Sequence, residues 1–516
     1  MSLSLAEDFE KFVGRYSIGR DSNPYDATGS HHFLRIKIPG GVLSSSQFRE
    51  IAKLSSRYSR GIAEITNRQD IQLHWIKAED SLDIFNFMDE LGFTTDMCGQ
   101  GFPGARYGDV RNVVCCPASG IEKNEIFNSY SIARKITEFF TGNPDFLDLP
   151  RKFKISISGC SADCTRAVIN DLAFVAVKNR DEIGFTVLVG GSVGASLPGP
   201  RLARPMKIFI RPEEVFDITV AIVEIHRDHS NRESKAKARF KWLIENWGIE
   251  KFISTLENKI DKKLQNYDGP IFLRKTDHEG IQPQKVEGYY YVNIPLLGGR
   301  LSDLLMNQIA DLADKFGSGE LRLTPTQNVI IPNIREDNVK AVLKALIEMK
   351  IPINRSKTRW LSVGCASDFC GKATHINTCA KKMLENVVEH LERRFGLEVL
   401  NNMNLHINVS GCPHDCGTSL ISNIGLIGKQ MKVEGGLKQV YDIYVGGSVG
   451  EEPSLGVLIE ENVPVEEVGF RVTSFIACYL KNRNPGEDLS SFCKRHSKEE
   501  LKKLFIQKQK VGQNVH

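Results

Sequence analysis

"GGVLSSSQFREIAKLSSRYSRGIAEITNRQDIQLHWI", residues 40–76, returns in a changed form at residues 298–334 as "GGRLSDLLMNQIADLADKFGSGELRLTPTQNVIIPNI". Both copies begin with Gly-Gly, continue with helical periodicity, turn at a glycine, and end in an alternating strand that contains T-x-x-Q. A second pair follows in the same order, "ISGCSADC" at 157–164 and "VSGCPHDC" at 409–416. Matches repeated in one order at a nearly constant spacing indicate an internal duplication.

The hexapeptide "VGGSVG" also occurs in both halves, at 189–194 and 445–450. Each half is therefore predicted to contain a βαβ-like unit followed by a larger α/β unit. In the larger units, helical runs such as "YSIARKITEFF" and "CAKKMLENVVEHLERRF" alternate with strands such as "KFKISIS" and "NLHINVS". The charge-rich, helix-period segment 226–248 is predicted to link the halves, and a ligand held between them would contact both.

Length and composition narrow the class of protein. A chain of 516 residues is long enough for two to four domains. A net charge of +4 argues against a nucleic-acid binder. No apolar run has the length of a membrane span and the N-terminus lacks the pattern of a signal peptide, so we expect no membrane insertion and a cytoplasmic location. Under those conditions twelve cysteines indicate metal binding or catalysis in preference to disulfides.

Two cysteine pairs in the second half are candidate metal ligands. "VGCASDFCG" supplies Cys365 and Cys370, and "SGCPHDCG" supplies Cys412 and Cys416. Four thiolates suit tetrahedral zinc or an iron–sulfur cluster, and four buried structural thiols are a third interpretation. The cluster is favoured because these are not the C-x2-C spacings usual for zinc. Cys370 is also predicted to open a helix, whose N-terminal N–H groups suit a negatively charged site.

With these cysteine pairs on a duplicated framework, residues from roughly 25 to 480 resemble the sulfite and nitrite reductases that couple a siroheme to a 4Fe–4S cluster. The resemblance implies that Cys416 bridges the cluster to the siroheme iron, while Cys365, Cys370 and Cys412 hold the other irons. The family usually has C-x5-C in the first pair, whereas four residues separate Cys365 from Cys370 here.

The implied fold class is α+β, an internally duplicated sulfite/nitrite reductase fold. Two ferredoxin-like half-domains and two larger α/β siroheme/iron–sulfur domains are related by a pseudo-two-fold arrangement. The predicted boundaries are 1–26 for an N-terminal arm, 27–95 for ferredoxin-like half-domain 1, 96–270 for the siroheme and anion-binding α/β domain 1, 271–350 for ferredoxin-like half-domain 2, 351–483 for the 4Fe–4S and siroheme-ligating α/β domain 2, and 484–516 for a C-terminal helical tail.

The first half carries the basic residues that an anionic substrate and a polycarboxylate cofactor require. By its period of two, a strand places Lys152 and Lys154 on one face, where two ammonium groups can converge on one oxyanion. A lone Lys or Arg is usually a solvated surface charge, but the resemblance implies a substrate quartet of Arg35, Arg111, Lys152 and Lys154. It further implies that the siroheme carboxylates are held by Thr66, Asn67, Arg68, Gln72 and His74. Glu64 stands where some members have another arginine.

Four more cysteines lie in the first half, Cys115, Cys116, Cys160 and Cys164. They are interpreted as remnants of the duplication or as redox-active thiols, and a second cluster is an alternative. Adjacent Cys115 and Cys116 cannot easily reach two corners of one cluster, so we predict that no second cluster forms. No role is assigned to the remaining cysteines, Cys98, Cys379, Cys478 and Cys493.

The resemblance implies a six-electron reductase that converts sulfite to sulfide. Members that reduce sulfite carry K-x-K where nitrite reducers carry K-x-N, and this chain has Lys152 and Lys154 there. No G-x-G-x-x-G opens a βα unit, so electrons are expected from ferredoxin or another donor protein such as a separate reductase. Nitrite reduction to ammonia is the first alternative, and a non-catalytic iron–sulfur electron-relay or structural subunit is the second.

Overall fold

The computed structural model describes residues 12, 14–20, 31–97, 108–194, 198–370, 379–434 and 436–506. Cys98, most of the predicted N-terminal arm and the last ten residues of the predicted tail therefore lie outside the described residues. In the first half the strands are β1 (Ile18–Arg20), β2 (His31–Lys37), β3 (Val42–Ser44), β4 (Ile62–Ile65), β5 (Ile71–Lys77), β6 (Thr94–Thr95), β7 (Val114–Cys115), β8 (Ile155–Ser158), β9 (Leu172–Asn179), β10 (Glu182–Val189), β11 (Arg204–Ile210) and β12 (Gln265–Asn266). Its helices are α1 (Ser45–Tyr58), α2 (Ser81–Glu90), α3 (Tyr130–Phe140), α4 (Val215–His229) and α5 (Phe240–Ile260).

The second half repeats this order of elements. Its strands are β13 (Ile281–Pro283), β14 (Tyr289–Ile294), β15 (Arg300–Ser302), β16 (Glu320–Leu323), β17 (Val329–Arg335), β18 (Val363–Gly364), β19 (Ile407–Ser410), β20 (Ile424–Val433), β21 (Gly436–Val445) and β22 (Val457–Pro464). Its helices are α6 (Asp303–Phe316), α7 (Glu336–Glu348), α8 (Thr358–Leu361), α9 (Ala380–Met403), α10 (Val468–Asn482), α11 (Leu489–Lys494) and α12 (Lys498–Ile506). No helix among the described residues is both long and apolar enough to cross a membrane.

The two small sheets exchange a strand. One sheet has the order β1-β2-β5-β4-β15, with β6 beside β2, and the other has the order β13-β14-β17-β16-β3. Thus β15 of the second half pairs antiparallel with β4 of the first, and β3 of the first half pairs antiparallel with β16 of the second. The exchange joins the half-domains through backbone hydrogen bonds, so neither sheet is complete without the other half.

The repeated Gly-Gly makes this exchange possible. Gly41 and Gly299 both have positive φ, +76° and +69°, which favours glycine. A Cβ on Gly41 would lie 2.7 Å from the Leu323 carbonyl oxygen, and one on Gly299 would lie 2.9 Å from that of Ile65. The glycines therefore let each half bring its exchanged strand against the backbone of the other.

One hydrophobic core is shared by the two half-domains. Helices α1 and α6 contribute Phe48, Ile51, Met306 and Ile309, all fully buried, and the sheets close the core from both sides. Each helix begins at a serine cap, since the Ser44 hydroxyl accepts from Gln47 N and that of Ser302 accepts from Leu305 N. The amphipathic pattern and its caps, both readable in the sequence, thus build the centre of the molecule.

The larger units each contain a mixed sheet, ordered β12-β11-β10-β9-β8-β7 in the first half and β18-β19-β20-β21-β22 in the second. Strands β7, β8 and β9 are parallel, as are β18, β19 and β20. The carboxyl ends of parallel strands meet at one edge of a sheet, which is where α/β folds place their ligands. The cysteine turns follow β8 and β19 at these edges.

The predicted helices and strands of the larger units are confirmed, with α3 matching "YSIARKITEFF" and α9 continuing "AKKMLENVVEHLERRF" to Met403. The prediction that segment 226–248 links the halves is wrong. It contains the end of α4 and the start of α5, whose Phe240, Leu243 and Ile244 are buried in the core of the first unit. The connection between the halves instead runs through residues 261–280.

Candidate functional site

Local hydrogen bonds hold both cysteine segments of the second half. Cys365 follows β18, and its N–H donates to the Val409 carbonyl oxygen at 3.0 Å. In the turn after β19, the carboxylate of Asp415 accepts from Ser419 N at 2.6 Å and from the Ser410 hydroxyl at 2.8 Å. These bonds close the turn tightly and fix the backbone of Cys412 and Cys416 on either side of Asp415.

The four predicted cluster cysteines come together at this edge of the sheet. Burial, and then the negative charge of Cys416, raises the pKa of the Cys365 thiol, with further contributions from Cys370 and Cys412. Burial likewise raises the pKa of Cys412 to about 12, and its neighbours Cys416 and Cys370 add to the shift. Four thiolates this close repel one another unless a cationic centre binds them, so the donor set fits an iron–sulfur cluster.

Other details of this donor set agree with a cluster. The Gly411 N–H donates to the Cys365 sulfur at 3.1 Å, a bond that favours the thiolate form. Cys370 is placed before residues 371–378, which lie outside the described part, and the next described helix begins at Ala380. The prediction that Cys370 opens a helix therefore falls beyond what the structure describes. Cys379 caps α9, and its thiol donates to the Asp368 carboxylate at 3.0 Å.

Lys152 and Lys154 flank Phe153, which is fully buried, and both lysines are half-buried on the opposite side of the chain. Burial, then the positive charges of Arg239 and Arg111, lowers the pKa of Lys152 to about 8, while Cys416 opposes the shift. Burial and then Lys152 lower the pKa of Lys154 well below its ordinary value. Neither ammonium makes a hydrogen bond or ion pair within the described part of the chain.

The remaining members of the predicted quartet are Arg111 and Arg35, and both side chains make polar contacts within the first half. The Arg111 guanidinium lies 2.9 Å from Asp109 Oδ1 and 3.7 Å from Asp96 Oδ2, and the side chain is almost fully buried. Arg35, on β2, donates from Nη2 to Gln72 Oε1 at 2.6 Å. The charge of Arg111 is close enough to lower the pKa of Lys152, and Arg35 contacts Gln72 on β5 and the ring of Phe33.

The residues predicted to hold siroheme carboxylates occupy the β4–β5 turn and β5. The Thr66 hydroxyl accepts from the backbone N–H groups of Arg68 and Asp70, and so closes the turn. Asn67 Nδ2 donates to the carbonyl oxygen of Cys416 at 2.9 Å, which joins this turn to the cluster turn of the other half. The guanidinium of Arg68 is buried and donates to the Asn112 and Ile155 carbonyl oxygens, so it positions those loops.

His74 and Gln72 connect this region to a buried charge network. Gln72 Nε2 lies 2.8 Å from His74 Nε2, and the latter lies 3.6 Å from Glu64 Oε2. Glu64 Oε1 also accepts from Arg300 Nη2 at 2.7 Å and lies 3.0 Å from Lys381 Nζ. Burial alone would raise the pKa of Glu64, but Lys381, His74 and Arg300 lower it well below its ordinary value.

Arg300 and Lys381 were not predicted as site residues, and both form ion pairs with Glu64. Both come from the second half, and nothing near them in the sequence marks the pairing. Arg239 was also missed. It directly precedes α5 and donates to both carboxylate oxygens of Asp171, whose carboxylate in turn accepts from the Lys154 backbone N–H.

The glutamines of the repeated T-x-x-Q, Gln69 and Gln327, also connect the two halves. The Gln69 amide donates to the Leu323 carbonyl oxygen and accepts from Cys115 N. Gln327 donates to Ile65 and Gly364 carbonyl oxygens and accepts from Gly364 N. Each glutamine therefore crosses to the other half and holds the strand that leads into a cysteine turn.

Cations of the first half and the Cys416 thiol of the second half thus lie near one another where the two halves meet. Lys152 and Lys154 are close enough to Cys416 for its charge to affect the pKa of both. Like charges that suppress one another's protonation favour the binding of an anion, which removes the repulsion. The residues present therefore fit a polycarboxylate tetrapyrrole beside a thiolate-bound cluster.

Comparisons with known proteins agree with this geometry. Residues 107–264 match the family described as "Nitrite and sulphite reductase 4Fe-4S domain", and residues 26–91 and 282–349 both match "Nitrite/Sulfite reductase ferredoxin-like half domain". An assimilatory ferredoxin-dependent nitrite reductase of Haloferax mediterranei is 31% identical over 490 residues, 89% of this chain and 81% of the relative.

A ferredoxin sulfite reductase of Mycolicibacterium paratuberculosis is 29% identical and covers 93% of this chain and 85% of its own length. Among solved structures, the Mycobacterium tuberculosis NirA protein superposes with a TM-score of 0.84 at 28% identity, over 95% of this chain and 90% of that one.

The chain belongs to the siroheme- and 4Fe–4S-containing sulfite/nitrite reductase family. The predicted duplicated fold is confirmed by the two half-domain matches and the NirA superposition. Its cofactors are those of the family, siroheme and a 4Fe–4S cluster. The 4Fe-4S domain match falls on the first α/β unit, whereas the cysteines that we assign to the cluster lie in the second.

Proposed function

We propose that this reductase converts sulfite to sulfide. The observation that carries the proposal is the pair of adjacent, unneutralised ammonium groups of Lys152 and Lys154 beside Cys416. Sulfite near neutral pH is partly a dianion with three oxygens, whereas nitrite is a monoanion with two. A second ammonium in a partly buried site therefore favours sulfite more than nitrite.

The roles of the individual side chains follow from their positions. Lys152, Lys154 and Arg111 would contact the oxygens of the bound anion, and Arg35 would complete the quartet from β2. With a pKa near 8, Lys152 can both bind an anion and give up a proton as an oxygen leaves as water. Reduction of sulfite takes six electrons and seven protons to give hydrosulfide and three waters, so the site has to supply protons as well as bind the anion.

Siroheme coupled to a cluster supplies the one-electron chemistry when both are bound. Cys365, Cys370, Cys412 and Cys416 would hold the cluster, and Cys416 would also contact the siroheme. The Asn67 bond to the Cys416 carbonyl oxygen fixes the backbone of that thiolate against the β4–β5 turn. Thr66, Asn67, Arg68, Gln72 and His74 are proposed to face the tetrapyrrole carboxylates, and the predicted domain boundaries remain part of this proposal.

Electrons are proposed to come from ferredoxin. The support is that both relatives described above carry ferredoxin in their names, one as a nitrite and one as a sulfite reductase. Those names divide between the two substrates, so the preference for sulfite rests on Lys152 and Lys154. The cytoplasmic location remains a prediction.

Steady-state kinetics of the purified holoenzyme with a reduced viologen dye test the proposal. We expect kcat/KM to be higher for sulfite than for nitrite at neutral pH. A strong preference for nitrite would instead support the alternative that the enzyme reduces nitrite to ammonia. A visible spectrum with only the broad absorption of a cluster, and no siroheme bands, would favour a non-catalytic electron-relay subunit.

A further inference from the structure

The first half contains a second group of cysteines, whose sulfur atoms are close enough together to bind one metal ion. The described part of the chain holds one group of three or more His, Cys, Asp or Glu side chains whose ligand atoms all lie within 4.8 Å of one another. It consists of Cys116, Cys160, Cys164 and His278. All four side chains are at least 97% buried. Sequence reasoning found the three cysteines and missed the histidine.

These cysteines occupy the positions that the duplication pairs with the cluster site. Cys116 follows β7 as Cys365 follows β18, and its N–H donates to the Ile157 carbonyl oxygen as that of Cys365 donates to Val409. In the turns after β8 and β19, Asp163 accepts from Ala167 N as Asp415 accepts from Ser419 N. The first half therefore keeps three ligand positions of the site in the second half.

The spacing of the ligand atoms fits one metal ion and not a cluster. The sulfur of Cys160 lies 4.0 Å from that of Cys116 and 3.9 Å from that of Cys164. A zinc ion with Zn–S bonds of about 2.3 Å requires sulfurs about 3.8 Å apart at the corners of a tetrahedron. A 4Fe–4S cluster places its thiolates on separate irons and holds them farther apart.

His278 supplies the fourth corner from outside the duplicated turns. It lies in the connection between the halves, and its Nε2 is 3.2 Å from the Cys116 sulfur. Its Nδ1 lies 3.2 Å from Glu122 Oε2 and 3.2 Å from the Tyr291 hydroxyl. A carboxylate on the far nitrogen of a metal-binding histidine fixes the ring and its tautomer, and this is the usual arrangement around zinc.

We propose that Cys116, Cys160, Cys164 and His278 bind one zinc ion. The site is closed, because the four ligands complete a tetrahedron and leave no position for water or substrate, so its role is structural. It ties the connection between the halves to the carboxyl ends of β7 and β8. The ion would thus hold β7, β8 and the connection between the halves together without taking part in electron transfer.

Metal analysis of the purified holoenzyme, grown with zinc available, tests the proposal. We expect about one zinc per chain together with the iron of one 4Fe–4S cluster and one siroheme. Zinc-edge X-ray absorption should show three sulfurs at about 2.3 Å and one nitrogen at about 2.0–2.1 Å. About eight cluster irons per chain, or an additional single iron in place of zinc, would overturn the assignment.

A pair of adjacent cysteines provides the matched variants. Cys115 is as buried as Cys116, but its sulfur lies 3.3 Å from the Ser129 hydroxyl. Cys115→Ser should keep its zinc, whereas Cys116→Ser should lose most of it and keep the siroheme spectrum. If Cys116→Ser does not fold, the wild-type X-ray absorption spectrum still shows whether zinc is bound by three sulfurs and one nitrogen. Equal zinc in both variants, or a wild-type protein without zinc, would reject the site.

Discussion

Lys154→Asn should shift the substrate preference of the enzyme from sulfite toward nitrite. The substitution removes one of two neighbouring ammonium groups and leaves Lys152 in place. Asn keeps a hydrogen-bonding group on the same side of the chain, although a shorter one, and removes the charge. The buried Phe153 beside it anchors the backbone in both forms.

The size of the shift can be bounded from Coulomb's law. Two unit charges about 4 Å apart interact by about 1 kcal/mol in water and about 4 kcal/mol at the effective dielectric constant of about 20 typical near a protein surface. The extra charge of sulfite is only partly present near neutral pH, and burial together with the charge of Lys152 lowers the pKa of Lys154 before the anion binds. We therefore expect a change of about 1.4–2.8 kcal/mol in the relative barrier, which is about 10- to 100-fold in the ratio.

The assay is the ratio of kcat/KM for sulfite and nitrite with a reduced viologen dye, on wild type and variant with equal siroheme content. Lys154→Arg should keep a sulfite preference because the charge remains. Lys178→Asn, at an exposed position on β9 of the same sheet, controls for the change in net charge. A ratio that stays within twofold of wild type in Lys154→Asn would refute the electrostatic argument.

Three further predictions follow from the same geometry. With nitrite, which is a monoanion throughout this range, kcat/KM should fall as pH rises through about 8, because the Lys152 ammonium of the free enzyme loses its proton near its lowered pKa. Lys152→Met should remove this fall in kcat/KM. A wild-type profile that is flat to pH 9.5 would contradict the prediction. Cys370→Ser and Cys416→Ser should lose cluster absorption, and Cys416→Ser should perturb the siroheme bands as well. Cys379→Ser should keep both sets of bands, because its thiol is hydrogen-bonded to Asp368. If only Cys379→Ser loses the cluster, Cys379 is a cluster ligand in place of Cys370 or Cys416. Glu64→Gln should lower the stability by about 3–5 kcal/mol because the buried Lys381 loses its counter-charge, while Arg300 keeps a second partner in Asp368. A denaturation midpoint unchanged from that of the exposed control Glu79→Gln would show that the network contributes little.

The features that could be predicted from the sequence are those set by neighbouring residues or by a repeated motif. The Gly-Gly, T-x-x-Q and cysteine-turn repeats identified the duplication, because each requires a particular backbone conformation or hydrogen bond at that position. Gly41 and Gly299 show the reason directly, since a side chain there would collide with the carbonyl oxygen of the other half. Period-two spacing likewise placed Lys152 and Lys154 together beside the buried Phe153.

The exchange of strands between the half-domains was not visible in the sequence. Strands β3 and β15 are three residues long, and any short polar strand could pair with either sheet. The choice depends on the packing of α1 against α6 in a common core, which is a property of the assembled chain. The same exchange places Arg300 opposite Glu64.

The sequence by itself determined the family, the duplication and the cysteine and lysine positions, since these are set by residue type and spacing along the chain. Only the tertiary structure decided that Glu64 lies between Arg300 and Lys381, and that His278 lies beside three cysteines distant in the sequence. The reason is physical. A buried charge or a metal ion needs partners from whichever elements the fold brings near, and sequence separation places no limit on which residues those are.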